Sequence, residues 1–194
     1  MIYSVRGKLI HMENGFSVVE CMGVGYKINT SISTQKNLKL NEEVTLYTHM
    51  NVREDSVELF GFYTQNELST FRLLISISGV GPKVAIAILS SLTSEQIALS
   101  VASNDYKTIT IAPGVGPKLA QRIVLELKDK VKGITSENSN STIISDTGKI
   151  SQAVSALAVL GYSSADVAPV LSKLDNSLSV QDMIKETLKS MKKG

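Results

Sequence analysis

SGVGPKVAIAIL, residues 78–89, and PGVGPKLAQRIV, residues 113–124, carry the same five residues, Gly-Val-Gly-Pro-Lys, twice in one chain. Gly79, Val80, Gly81, Pro82 and Lys83 align with Gly114, Val115, Gly116, Pro117 and Lys118, and Ala85 aligns with Ala120. Each copy stands between apolar stretches with three- and four-residue spacing, so each reads as a turn between two helices. Its glycines permit positive φ where the first helix ends and the chain reverses. Its proline suits the first turn of the next helix, where a missing N–H costs nothing. The remaining free N–H groups face outward with the positive end of the helix dipole, which makes an anion site, and the lysine adds a cation beside it. One copy alone is equally well a plain helix reversal, since a lone G-x-G is a weak signal. Two equivalent copies suit a ligand whose phosphates repeat, that is, a nucleic-acid backbone. Amide contacts to phosphate carry no base information, so such binding is insensitive to sequence. A Walker-type nucleotide loop needs four residues between its first glycine and Gly-Lys, then Ser or Thr, and neither copy has them.

Charge points the same way. The net charge of +2 hides an uneven division. Residues 1–64 hold 6 Lys+Arg against 7 Asp+Glu, residues 65–133 hold 8 against 5, and residues 134–194 hold 6 against 6. The excess positive charge therefore lies in the block with the repeated turn, which suggests a polyanion partner but is a weak signal by itself.

Other function classes find little support. Cys21 is the single cysteine and His11 and His49 the only histidines, so a disulfide framework and zinc-type ligand spacing are absent. Cys21 sits in the apolar run VVECM and reads as a small buried hydrophobe. No Ser/His/Asp arrangement or clustered carboxylates are visible, so no catalytic residue, metal or cofactor is expected. No apolar run approaches the roughly 20 residues of a membrane span, and the N-terminus lacks a secretion signal. A soluble cytoplasmic protein is expected.

Around the repeated block, three further regions are legible. YSVRGKLIHM, GFSVVECM, GYKINTS, EVTLYTHMNV and VELFGFY are short, rich in Val, Ile, Tyr and Thr, and bounded by turn residues. They predict an OB-type β-barrel over residues 1–63, with a short helix or loop near 33–40. Residues 64–133 then form the helical block. Nine of the fifteen residues 134–148 are Ser, Thr or Asn, and this stretch reads as a flexible linker. Residues 149–194 return to helical spacing in three stripes: Val154, Leu157 and Leu160; Val167, Val170, Leu171 and Leu174; Val180, Met183, Ile184, Leu188 and Met191. The fold class is thus multidomain α+β: a barrel, a tandem helix–hairpin–helix domain and a small three-helix bundle near the lower size limit for independent folding.

The paired G-V-G-P-K turns look like tandem helix–hairpin–helix motifs. With the openings M-I-Y-S-V-R-G, G-V-G-Y-K-I and T-H-x-x-V-R-E-D, the chain resembles the RuvA family, Holliday junction branch migration subunits of bacteria. The resemblance covers residues 1–133 and resumes at ALAVLGY. It implies a flat homotetramer, one or two per junction, that holds four-way junction DNA open for recombination and repair. It also implies a RuvB-like hexameric ATPase partner, in which ATP hydrolysis resides, and a RuvC-like resolvase as a further partner. Carried over residue by residue, Gly79, Gly81, Lys83, Gly114, Gly116 and Lys118 contact phosphates from the minor-groove side, and Arg122, one helical turn on, adds a contact. The family often has a basic residue where Pro117 stands, so the second hairpin depends less on charge. Glu54 and Asp55, at the turn between two strands, match the family's acidic pin, whose negative charge repels strands at the junction centre. Leu157, Leu160 and Tyr162 match positions that contact the motor in a UBA-like third domain, while both leucines equally suit the bundle's own core.

Two other classes remain in view: a structure-selective repair nuclease, which needs a carboxylate cluster, and a protein-interaction module whose hairpins never meet DNA.

Overall fold

The structure is a computed structural model and describes residues 1–137, 148–159, 161–175 and 177–191. Five strands come first: β1 (Ser4–Glu13), β2 (Phe16–Cys21), β3 (Val24–Thr30), β4 (Glu43–Val52) and β5 (Val57–Phe62). They close into a barrel in the order β1-β2-β3-β5-β4. All neighbours are antiparallel except β3 and β5, which pair in parallel with Ile28 opposite Leu59. The alternation of apolar and polar residues explains the closure. Val5, Leu9, Val19, Ile28, Leu46 and Leu59 point inward and fill the barrel with Leu38, and a register shift between Leu9 and His11 bends β1 around it. One short helix, α1 (Ile32–Gln35), crosses from β3 to β4, at the start of the stretch where the sequence leaves room for it.

Helix α2 (Gln65–Ile75) opens with a capping box: Thr64 Oγ1 accepts from the Glu67 N–H, and the Glu67 carboxylate accepts from the Thr64 N–H. Its inner face carries Phe71, which is fully buried. The Phe71 ring lies 4.8 Å from that of Phe62, 5.4 Å from that of Phe60 and 5.4 Å from His49. This aromatic cluster fastens α2 to the barrel. Partial burial, then the nearby Arg72 cation, hold the His49 imidazole below its ordinary pKa.

Helices α3 (Pro82–Ser91), α4 (Ser94–Ala102), α5 (Tyr106–Ile109) and α6 (Pro117–Glu137) complete the repeated block. Beyond them lie α7 (Gly148–Val159), α8 (Ser164–Leu171) and α9 (Val180–Met191). The described chain divides into two compact units, residues 1–93 with 111–114, and residues 94–110 with those from 115 on. The barrel and first hairpin share the first unit. In the second, α7 packs against α4 and α6 as well as α8 and α9. Residues 134–137, read from composition as the start of a linker, continue α6. A helix already nucleated extends cheaply through residues of modest propensity. The remainder of that stretch up to residue 147 lies outside the described residues.

Truncating Phe71 to Ala removes the ring on which three others converge. A loss of about 3–5 kcal/mol is expected in urea unfolding of the full chain, with the barrel strands and α2 losing amide protection together.

Candidate nucleic-acid interface

The first turn, residues 76–81, follows α2, and the second, residues 110–116, follows α5 and is one residue longer. Gly79 has φ +89° and Gly114 φ +82°, the left-handed conformation that reverses each chain. The second glycine of each copy does something else. Gly81 is extended, with φ −82° and ψ 168°, and serves as the N-cap of α3 without a side-chain cap bond. Gly116 likewise lies outside the positive-φ region and precedes α6. The expectation that both glycines supply positive φ therefore holds for only one in each pair. The other leaves the helix start uncovered.

Between the glycines, Val80 and Val115 are 4% and 5% exposed, so a buried valine anchors each turn. Val80 N–H donates to Ile77 O at 3.0 Å. The helices then begin alike: Ala85 N–H donates to Gly81 O and Ala120 N–H to Gly116 O, both at 3.0 Å. Pro82 and Pro117 hold the first helical position. The amides of Lys83 and Val84, and of Lys118 and Leu119, come too early to find a carbonyl within their own helix. Each turn thus presents free amides, the positive dipole end and no side chain at the cap. A carboxylate, phosphate or sulfate oxygen is the group such a surface binds.

A further likeness escaped the alignment. Ser76 Oγ donates to Leu73 O at 2.7 Å and Thr110 Oγ1 to Lys107 O at 2.6 Å, so both incoming helices end on a hydroxyl that bonds back to its last turn. The extra residue in the second turn puts these hydroxyls out of alignment, which hid the match. Asp105 caps α5, and its bonds from the Thr108 hydroxyl and amide, with that from the Lys107 amide, hold the carboxyl below its ordinary pKa.

The cations are not equal. Lys83, Lys107 and Lys118 are exposed and form no ion pair among the described residues. Arg122 is exposed but lies 3.7 Å from Glu126 one turn on. Lys128 is tied to Asn104 Oδ1 at 3.0 Å. Of the cations beside the turns, the lysines are thus the ones whose charge no carboxylate offsets among the described residues.

Glu54 and Asp55 occupy the loop between β4 and β5 and are exposed. The loop closes by Arg53 N–H to Ser56 O at 2.8 Å, and Ser56 Oγ donates to Asp55 Oδ1 at 3.2 Å. Neither carboxylate forms an ion pair among the described residues, so their charge faces solvent uncompensated. Of the three C-terminal residues singled out, Leu157 is fully buried with Ala153, Ala156 and Val167. Tyr162 is partly exposed, its N–H bonded to Leu157 O at 3.1 Å. Leu160 lies outside the described residues. Among the described residues no group of His, Cys, Asp or Glu could hold a metal ion, and no single helix is long and apolar enough to cross a membrane.

A closed five-stranded barrel followed by paired, amide-exposing hairpin turns defines a barrel-plus-tandem-helix–hairpin–helix protein. Comparison with known families makes this specific. Residues 1–61 match the RuvA N-terminal domain, residues 71–129 the SAM-like helix-hairpin-helix tandem and residues 148–192 the RuvA C-terminal domain. The protein named Holliday junction branch migration complex subunit RuvA in Acetivibrio thermocellus is 44% identical, covering 98% of each chain. Its namesakes in Clostridium botulinum strain Loch Maree and in Ruminiclostridium cellulolyticum are 43% and 41% identical, covering 97% and 98% of this chain and 98% and 100% of their own. The chain belongs to the RuvA family.

The two kinds of glycine make separable demands. A Cβ at Gly114 or Gly116 meets nothing within 4 Å, so any cost is conformational. Gly114→Ala should lose about 1–2 kcal/mol of stability because of its positive φ, whereas Gly116→Ala should be neutral or gain about 0.4–1 kcal/mol. Parallel urea titrations of the two variants check the contrast.

Proposed function

We propose that this chain is a Holliday junction DNA-binding scaffold of a branch-migration complex, holding four-way junctions open in recombination and repair. The observation that carries this reading is the doubled turn: two helix starts with free amides, an uncovered glycine cap and an unpaired lysine, in a chain of this family. Phosphate contacts made through backbone amides and Lys83 and Lys118 explain binding to DNA of any sequence. Gly81 and Gly116 allow the backbone to approach, and Arg122 adds a contact once it exchanges Glu126 for phosphate.

Glu54 and Asp55 act as the pin. In a homotetramer, four copies place uncompensated negative charge where strands would otherwise meet. The repulsion strengthens as water is excluded, guiding strands into separate arms and disfavouring duplex laid across the centre. The chain supplies no catalysis in this reading. ATP hydrolysis belongs to a RuvB-like hexameric motor, recruited in the cytoplasm by the C-terminal helices, where Tyr162 is the more accessible of the two described contact candidates. Leu157 supports that surface from the core. A RuvC-like resolvase acts on the same opened junction.

Neutralising the pin separates grip from selection. The Glu54→Gln/Asp55→Asn variant should retain junction binding in gel shifts while its preference over linear duplex falls by roughly tenfold, about 1.4 kcal/mol. Unchanged preference would sink the pin assignment. Lys83→Ala and Lys118→Ala should each weaken binding to junction and duplex alike and reduce the salt slope by about one. An unaltered slope in both would remove the lysines from the interface.

A further inference from the structure

Helix α1 spans a single turn, yet it bonds to three parts of the first unit. Toward the barrel, Gln35 Nε2 donates to Glu13 O at 2.7 Å, Phe16 O at 3.2 Å and Thr30 Oγ1 at 3.1 Å. Toward α2, Thr34 Oγ1 donates to Glu67 Oε2 at 3.2 Å, the same carboxylate oxygen that accepts from the Tyr63 and Thr64 amides. Toward α3, Ser33 Oγ donates to Leu89 O at 2.7 Å, and Ile32 N–H donates to Ser90 Oγ at 3.1 Å. Ser90 also donates to Ile86 O at 2.7 Å within its own helix. Leu89 O lies in the last turn of α3, where the helix offers it no partner, so Ser33 completes that end. The opposite end of α3 is the first phosphate turn.

We propose that α1 is a strut that fixes the first hairpin to the pin-bearing barrel, with Ser33 and Ser90 as positioning residues that set junction selectivity and leave phosphate affinity alone. This rests on the function proposed above. The Phe71 cluster holds α2 against the barrel, but apolar contact is non-directional and tolerates rotation. The α1 bonds are directional and constrain the angle of α3. Duplex binding needs only the turn and its lysine. Discrimination needs the turn and the acidic loop in one rigid body, because a pin free to swing yields to the strand it should repel.

The Ser33→Ala/Ser90→Ala variant of the full chain tests this, with both substitutions compatible with helix. In a Cys21→Ser background, nitroxide labels at Ser56→Cys and Ser78→Cys, diluted with unlabelled chain, report the loop-to-turn distance without DNA. The variant should broaden that distance distribution relative to the parent. Unlabelled, it should lose roughly tenfold in junction-over-duplex preference while duplex affinity and salt slope stay unchanged. Ser33→Thr/Ser90→Thr, which keeps both hydroxyls, should restore the narrow distribution and the preference. An unchanged width, an unchanged preference or an equal loss on both DNAs overturns the strut. A parent chain with no junction preference instead overturns the function proposed above, while the distance width still judges the strut by itself.

Discussion

A glycine in the left-handed region, followed by a valine held in the core, is the constraint on which each hairpin depends. Gly79 and Gly114 reverse the chain, and Val80 and Val115 prevent the reversal from swinging free. Only then does the following proline start a helix whose first amides face solvent. Free amides are usually a liability at a helix end, met by a Ser, Thr, Asp or Asn cap. Elsewhere this chain caps in that way, with Thr64 on α2, Asp105 on α5 and Ser163 on α8. At α3 it uses Gly81, which has no side chain to give, and α6 is likewise preceded by Gly116. The omission of a side-chain cap at these starts is what the phosphate contact proposed for them requires.

Charge is arranged with the same economy. Exposed ion pairs bring little stability, so pairing Arg6 with Glu43 or Lys189 with Glu186 has small energetic weight. Lys83 and Lys118 form no ion pair among the described residues; this costs equally little and suits the polyanion contact proposed for them. Glu54 and Asp55 are likewise exposed and in no ion pair among the described residues, which is what the repulsive role proposed for them requires. The barrel carries these acids on a closed β4–β5 loop, and its aromatic contact with α2 gives the first hairpin a firm base.

The sequence made most of this legible for physical reasons that differ by region. Alternating side chains announced the barrel strands, because a one-residue slip would invert every face. The doubled Gly-Val-Gly-Pro-Lys announced the turns, because few other sequences combine reversal with a helix start. Three things were not legible. The Ser76 and Thr110 hydroxyls make the same bond back into the helices they end but are offset in sequence. The role of α1 depends on partners up to 58 residues away, as between Ile32 and Ser90, and no local pattern encodes such contacts. The end of α6 lies beyond its compositional boundary, because helix propagation follows neighbouring turns more than the residues' own preferences. Leu157 illustrates a fourth case: its spacing fitted both core and contact, and only its burial shows how much of it belongs to the core.

The most direct test of the central claim is equilibrium binding of the unaltered chain to a four-way junction, linear duplex and single strand across a salt series with Mg²⁺, products checked for cutting. The account predicts junction bound in preference to the other two, affinity for both double-stranded ligands falling steeply with salt, and all DNA recovered intact. Equal affinity for junction and duplex, binding indifferent to salt, or cleaved products would contradict it.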